Sequence, residues 1–345
     1  MRIAVDAMGG DHAPDEIVRG AVEVASEPGF AHQIVLVGDE NRVMTALAGL
    51  SGPVSDQICV YHAPDEIAMH EHGAQAVRKK RESSLVICGQ MVKEGKADAT
   101  LSAGNTGAAM AVATLVVGRI PGIERPAIAT TLPTPKGQTL LLDAGANVDC
   151  SPHNLLQFAL LGSIYSEKAL GVHDPTVGLL SVGSEESKGN DLTKATFKLL
   201  RESPLNFHGN VEGKDVFEHT TDVVVCDGFV GNVLLKSGEG VAEMILGFLH
   251  REIATADPTL QGSFKPVLGR LLRRIDYAET GGAPLLGVNG VSVIAHGRSK
   301  AKAIANAIRQ TVAAASSGFV RATSEALPAL AAAEQRVIEK EPDVL

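Results

Sequence analysis

Five short stretches carry the residue types best suited to chemistry. They are Asp6-Ala7-Met8-Gly9-Gly10-Asp11-His12, Ser102-Ala103-Gly104-Asn105-Thr106-Gly107, Asp143-Ala144-Gly145-Ala146-Asn147, Gly183-Ser184-Glu185-Glu186-Ser187-Lys188-Gly189-Asn190 and Asp227-Gly228-Phe229-Val230-Gly231-Asn232. Each pairs glycine with Asn, Asp or Ser. Glycine lets backbone N–H groups come close to a ligand, and a helix that starts after the loop adds its positive end. Gly104–Gly107, with Asn105 and Thr106 inside it, is the best single anion cradle by this logic. Lys188 can add a point charge, and Asn105, Asn147 and Asn232 can donate neutral hydrogen bonds. His12 follows a double-glycine turn and flanks Asp11, so it can bind an anion or move a proton. A single loop of this kind is most simply a tight turn; several at corresponding strand ends point to a phosphate-sized site.

Several chemistries lack their residues. Gly238 and Gly240 begin a G-x-G-x-x-G, but Glu243 occupies the third glycine's place; Gly213-Lys214 is followed by Asp215, so no phosphate-binding G-K-[ST] forms. There is no G-x-S-x-G elbow and no H-E-x-x-H, which argues against a serine hydrolase of the α/β type and against that metalloprotease pattern. His70 and His72 flank Glu71 without a third ligand nearby, and no metal or other cofactor is expected. Cys59, Cys88, Cys150 and Cys226 form no C-x-x-C pair and read as reduced thiols of a cytoplasmic protein. A net charge of -9, no Trp, 3 Tyr and 9 Phe disfavour a nucleic-acid partner. The chain enters a strand pattern at once, without a signal-peptide profile, and its longest apolar stretch is too short to span a bilayer.

The loops need elements to hold them. Apolar runs at Ile3–Asp6, Ile34–Val37, Ile58–Tyr61, Ala97–Leu101, Ala127–Thr131, Leu140–Asp143, Val177–Val182, Val223–Cys226 and Val291–Ala295 read as strands. Helical patterns separate them, at about Pro14–Ser26, Gly73–Glu94, Thr106–Val117, Asn154–Ala169, Lys188–Arg201, Gly231–Ile253 and Ser299–Ala315. This alternation predicts an α/β fold: an open, mostly parallel sheet with helices on both faces and ligands beyond the carboxyl ends of the strands. A further turn, Glu279-Thr280-Gly281-Gly282-Ala283-Pro284, precedes another apolar run, and an Ala-rich tail after Gly318 reads as one last helix.

One excursion, about 231–277, lacks a strand and reads as a projecting helical hairpin. One stripe runs through Val241, Met244, Ile245, Phe248, Leu249 and Ile253, the other through Phe264, Val267, Leu268, Leu271, Leu272 and Ile275. Residues 264–274 contain Lys265, Arg270, Arg273 and Arg274 and no acid, a charge of +4. A basic amphipathic helix on an acidic protein suits an anionic membrane surface. An acidic protein partner or a subunit interface would use the same residues.

In order and spacing, from Met1 to Val320, the quoted strings resemble those of the bacterial phosphate acyltransferases, acyl-ACP:phosphate acyltransferases that make acyl phosphate from acyl-acyl-carrier protein and inorganic phosphate at the start of phospholipid synthesis. The resemblance implies a three-layer α/β/α Rossmann-like fold similar to the isocitrate/isopropylmalate dehydrogenases. It implies a homodimer, peripheral membrane association, and hand-over of product to a membrane glycerol-3-phosphate acyltransferase. The domain would span 1–320, with 321–345 a helical tail.

Direct attack of phosphate on the thioester is then the expected mechanism. Gly104, Asn105, Thr106, Gly107, Asp143, Asn147 and Gly183 are the expected substrate-binding set, and Lys188 holds phosphate. Asn147 and Asn232 orient the acyl carbonyl, while His12, Asp11 and Asp227 handle protons or orient donors. Phe264, Lys265, Arg270, Leu271, Arg273 and Arg274 are the expected membrane or carrier contact, and the hairpin stripes line an acyl groove. Three rivals stand beside this reading: a coenzyme A-dependent small-acyl phosphotransacetylase, a nicotinamide- and metal-dependent β-decarboxylating dehydrogenase, and a membrane-surface scaffold without activity.

Overall fold

The computed structural model describes residues 1–275 and 281–340, and leaves undescribed the side chains of 258–261, 263, 265 and 273–275. The expected turn at Glu279-Thr280, the end of the hairpin at 277 and the last residues of the tail therefore fall outside the described residues.

In the first part of the chain, β1 (Arg2–Asp6), α1 (Asp15–Ala25), β2 (Gln33–Gly38), α2 (Glu40–Ala48), β3 (Ile58–His62), α3 (Gly73–Lys79), α4 (Ser84–Lys93), β4 (Ala99–Ser102) and α5 (Thr106–Val112) follow one another; a π-helical turn, Ala113–Val117, extends α5. Next come β5 (Ala127–Ile128), β6 (Thr130–Thr134), β7 (Gly137–Leu142), α6 (Pro152–Leu170), β8 (Val177–Leu180), α7 (Asp191–Arg201), β9 (Phe207–Val211), α8 (Gly213–Glu218) and β10 (Val223–Val225). The chain ends with α9 (Gly228–Thr255), α10 (Pro258–Ile275), β11 (Gly282–Leu286), β12 (Val291–Ala295), α11 (Ala301–Ser317) and α12 (Phe319–Lys340).

The strands form two sheets where the alternation predicts one, ordered β3-β2-β1-β4-β12-β11-β5 and β6-β7-β10-β8-β9. Every pair in the interior of each sheet is parallel except those made by β11, and β6 is an antiparallel edge on β7. Parallel strands covered on both faces need continuous apolar sequence, and every residue of β4, β8, β10 and β12 is buried. The seam lies in the run Ala127–Thr131. Its first two residues pair with β11, Ala129 N–H donates to Pro284 O (3.0 Å), and the chain then pairs with β7. One buried apolar cluster runs from Ile3 to Val337 through both sheets.

The expected helix at Gly73–Glu94 is two helices. The chain turns at residues 80–83, where Lys80 Nζ is held by Glu71 (2.8 Å) and by the carbonyl of Glu66 (2.7 Å). That turn brings Ser84 onto Asp6 (2.6 Å). The tail helix α12 belongs to the core. Phe319 meets Tyr165 of α6 edge to face at 5.4 Å, Leu330, Ala333 and Val337 are buried, and His153 of α6 pairs with Glu334 at 2.7 Å.

Helices α9 and α10 form the expected hairpin. Of the 28 residues of α9, Gly228 and Gly231 at its base are buried. Val241, Met244, Ile245 and Phe248 of α9 and Phe264, Val267, Leu271 and Leu272 of α10 are exposed, whereas Leu268 is buried. Among the described residues no helix is long and apolar enough to cross a membrane.

Candidate active site

A cleft of about 330 Å³ opens between the two sheets, beyond the carboxyl ends of β4, β12 and β7, the position expected for a ligand in an open α/β fold. Thr106, the first residue of α5, enters from one side, and Ala295 and His296 at the end of β12 lie beside it. Thr130 and Thr131 of β6 and Ala144 after β7 face them, and Asn232, Leu235, Lys236 and Glu239 come from one side of α9. The spacing of those four, i, i+3, i+4 and i+7, is the signature of one helical face.

Buried carboxylates hold the loops in place. Asp143 is fully buried; its Oδ1 accepts from the N–H groups of Ile128 (3.0 Å), Gly145 (3.2 Å) and Ala146 (3.0 Å), and its Oδ2 from Asn147 N (2.6 Å) and Nδ2 (2.8 Å). The bond to Ile128 crosses the seam between the sheets. Burial pushes the Asp143 carboxyl above its ordinary range, against the pull of these donors. Asn147 donates also to Pro126 O (2.8 Å), and its own carbonyl accepts Gly228 N–H at 2.7 Å. Asp6 plays a similar part after β1: it accepts from Ser84, Ser102 (2.7 Å) and Met8 N (3.2 Å), and burial raises it too. Two glycines permit the base of α9 to seat against this knot. A Cβ on Gly231 would lie 1.9 Å from Asp143 O, and one on Gly228 would lie 2.7 Å from Asn147 O.

The expected site residues divide by these contacts. Thr106 and Asn232 line the cleft, with the Asn232 side chain against Gly145. Asp143 and Asn147 lie behind its wall. Asn105 caps α5, accepting from Ala108 N (3.0 Å), and its amide donates to the carbonyls of Ala68, Met69 and Glu71, the shortest at 2.7 Å; its side chain is spent on the protein. The Gly104 amide donates to Ser102 Oγ (3.0 Å), which leaves the first two helical amides, Thr106 and Gly107, as the open end of the cradle. Asp227 caps α9 through Val230 N (2.9 Å). Asp11 and His12 are exposed; the Asp11 amide donates to Gly297 O (2.8 Å), next to His296. Lys188 and Gly183 lie on the loop after β8, outside the cleft lining, with Lys188 exposed. On the hairpin, Phe264, Arg270 and Leu271 are exposed, and the side chains of Lys265, Arg273 and Arg274 fall outside what the structure describes.

Lys236, Glu239, His296, Thr130 and Thr131 are the cleft residues that the loop pattern missed. His296 directly follows β12, so the strand-end argument could have found it, and Lys236 stands one helical turn beyond Asn232. Lys236 Nζ pairs with Glu239 at 2.9 Å. His296 Nδ1 accepts from Arg298 N (3.3 Å), which leaves Nε2 as the donor of the neutral ring. Burial first, then the charges of Arg298 and Lys236, lower the His296 pKa below the ordinary 6.5. Neither Ser nor Cys lines the cleft among the described residues. Burial raises the two nearest thiols, Cys226 well up and Cys150 to about 11, so neither is a ready nucleophile.

Comparison with known proteins places this geometry in a lineage. Residues 1–322 match the family model described as fatty acid synthesis protein. A phosphate acyltransferase of Desulforamulus reducens is 52% identical over 328 residues, covering 95% of this chain and 97% of that one. In fold the chain is similar to a phosphotransacetylase from Streptococcus pyogenes (TM-score 0.60, 17% identity, covering 91% of this chain and 94% of that one). It is likewise similar to 4-hydroxythreonine-4-phosphate dehydrogenase from Klebsiella pneumoniae (TM-score 0.54, 14% identity, 91% and 97% covered). These likenesses agree with the expected dehydrogenase-like α/β architecture. With half of its residues shared along nearly the whole chain, the protein belongs to the phosphate acyltransferase family and is an acyltransferase of fatty-acid and phospholipid synthesis.

Proposed function

We propose that the cleft between the sheets transfers the acyl group of an acyl-acyl-carrier protein thioester to inorganic phosphate. The observation that carries this reading is the set of polar groups converging on one small cleft: Thr106 at the start of α5, Thr130, Thr131, Asn232, Lys236 and His296. Phosphate sits against Thr106 and Lys236, where the positive helix end offsets its charge and the Lys236 ammonium is shared between phosphate and Glu239. A phosphate oxygen attacks the thioester carbon and forms the new C–O bond. The carbonyl electron pair moves onto oxygen, where Asn232 and Thr130 or Thr131 stabilise it, then returns as the C–S bond breaks. The departing thiolate takes the bond's electrons and is a moderate leaving group; the His296 ring, which lines the cleft, is our candidate hydrogen-bond donor to it or to the oxyanion. Asp11 and His12 stand at the rim as proton carriers to solvent.

Purified protein incubated with palmitoyl-acyl-carrier protein and labelled phosphate should release labelled acyl phosphate, trapped by hydroxylamine as the hydroxamate. Acyl-coenzyme A run in parallel separates the two thioester classes: turnover of coenzyme A substrates alone would replace the carrier protein. Absence of product from either thioester would reject acyl transfer to phosphate. The exposed apolar faces and Arg270 of the hairpin support contact with an anionic membrane and with a second subunit. Such contact places the product where a membrane glycerol-3-phosphate acyltransferase can take it.

A further inference from the structure

A second hollow, of about 450 Å³, runs along α9 and shares Leu235 and Glu239 with the cleft. Leu132 and Pro133 of β6 and Phe217 of α8 form one wall, and Leu234, Val241 and Ile245 of α9 form the other. The helix period explains how one helix serves both spaces. Asn232, Leu235, Lys236 and Glu239 lie on one stripe and face the cleft. Leu234, Ser237, Gly238, Val241, Ala242 and Ile245 lie on the adjoining stripe and face the hollow. At the junction Glu239 is bonded to Lys236, so its charge is compensated on the cleft side. Gly238 lets the ring of Phe217 lie close on the helix; a Cβ there would be 3.0 Å from Phe217 Cζ.

We propose that this hollow binds the hydrocarbon chain of the acyl substrate, with the reacting carbonyl at Leu235 and the chain running outward to Ile245. The proposal rests on the acyl-transfer reading and adds the place where chain length is read. Leu235 and Ile245 are about 15 Å apart along the helix axis at 1.5 Å per residue. An extended alkyl chain fits such a slot, and the opening into the cleft puts its first carbon beside the phosphate donors. Val241 and Ile245 are about half exposed, and a bound chain would cover them.

Ala242→Phe and Ile245→Asp test this, with His250→Asp as a control at an exposed position of the same helix, outside both linings and off its apolar stripe. The readouts are kcat/KM for palmitoyl- and butyryl-acyl-carrier protein, affinity for the fluorescent fatty acid cis-parinaric acid, and sedimentation. Each buried methylene is worth about fourfold in affinity, so losing contact with two or more should cut the palmitoyl value about tenfold or further. Butyryl turnover should stay within about twofold, and parinarate binding should weaken in parallel with the palmitoyl loss. The His250 control should leave all three unchanged. Equal loss on both substrates, unchanged selectivity, or a change of oligomer mass that accounts for the loss would overturn the assignment. If the wild type makes no acyl phosphate from any chain, the transfer reading fails by itself. Parinarate then still decides the hollow: binding weakened by the two variants upholds it, and no binding rejects it.

Discussion

Asp143 accepts five bonds from protein N–H groups without any exposure, so its carboxylate is committed to the seam between the sheets. Asp143→Ala strands those donors in a dry site and should cost about 3–5 kcal/mol in urea unfolding, with Asp143→Asn less severe. Lys236→Ala should raise the KM for phosphate about tenfold, the size expected for one charged hydrogen bond, while Lys188→Ala stays within about twofold. The reverse result would move phosphate to the loop after β8. The lowered His296 pKa sets the pH profile. Neutral imidazole is the working form, so activity should fall only as pH drops through a value below 6.5. Removing the Lys236 charge should move that acidic limb upward. Of the glycine-rich strings, Thr106, Ala144 and Asn232 line the cleft, while other members support its walls. Asn105, Asp143, Asn147 and Asp227 carry the right atoms for ligand binding, but bonds within the protein occupy them: Asn105 and Asp227 each cap the helix that follows, and Asp143 binds the amides of its own loop as well as Ile128. Lys236 lies inside a helix, and His296, although Gly297 follows it at the end of β12, belongs to none of the five glycine strings.

Strands buried on both faces were legible because an unbroken apolar run has few other uses in a fold of this kind. β9 was not: Phe207-His208-Gly209-Asn210-Val211 is an edge strand, buried at its last two residues, and carries no run. α2 is short and polar, with two buried residues and an Asp39 cap. The split between α3 and α4 depends on Lys80 reaching Glu71, a contact that helical periodicity does not encode. Among the helices, α9 is the most constrained at its base. Gly231→Ala would drive a methyl into the Asp143 carbonyl and should destabilise by about 3 kcal/mol in denaturant titration. Gly240→Ala, on the same helix with nothing within 4 Å, should stabilise by up to about 1 kcal/mol. The docking of α12 on α6 carries a pH dependence. His153 is raised above 6.5 mainly by its bond to Glu334. Its stabilisation is therefore complete below 6.5 and disappears as pH rises through the raised value. For a partly exposed pair about 1 kcal/mol is expected, and His153→Gln should flatten that part of the stability–pH curve.

The whole molecule is acidic, at -9, yet residues 264–274 carry +4. That asymmetry supports the proposed contact of the hairpin with an anionic surface. Replacing Arg270, Arg273 and Arg274 by Gln should reduce co-sedimentation with phosphatidylglycerol vesicles about fivefold per charge and leave phosphatidylcholine vesicles unaffected. Turnover of carrier-bound substrate in solution should survive the change. Lost turnover with intact vesicle binding would assign the arginines to the carrier protein.

The sheet order also dictates an order of assembly. Strand β4 takes β12 as its neighbour, pairing Ala99 with Val291, and β5 waits for β11. A chain emerging from the ribosome therefore exposes one side of β4 while everything from Thr130 to Asp227 is being synthesised. The second sheet has all five of its strands in that interval. Translation thus completes the half encoded in the middle before the half that begins the chain, and the early half is the one that needs shielding from premature association.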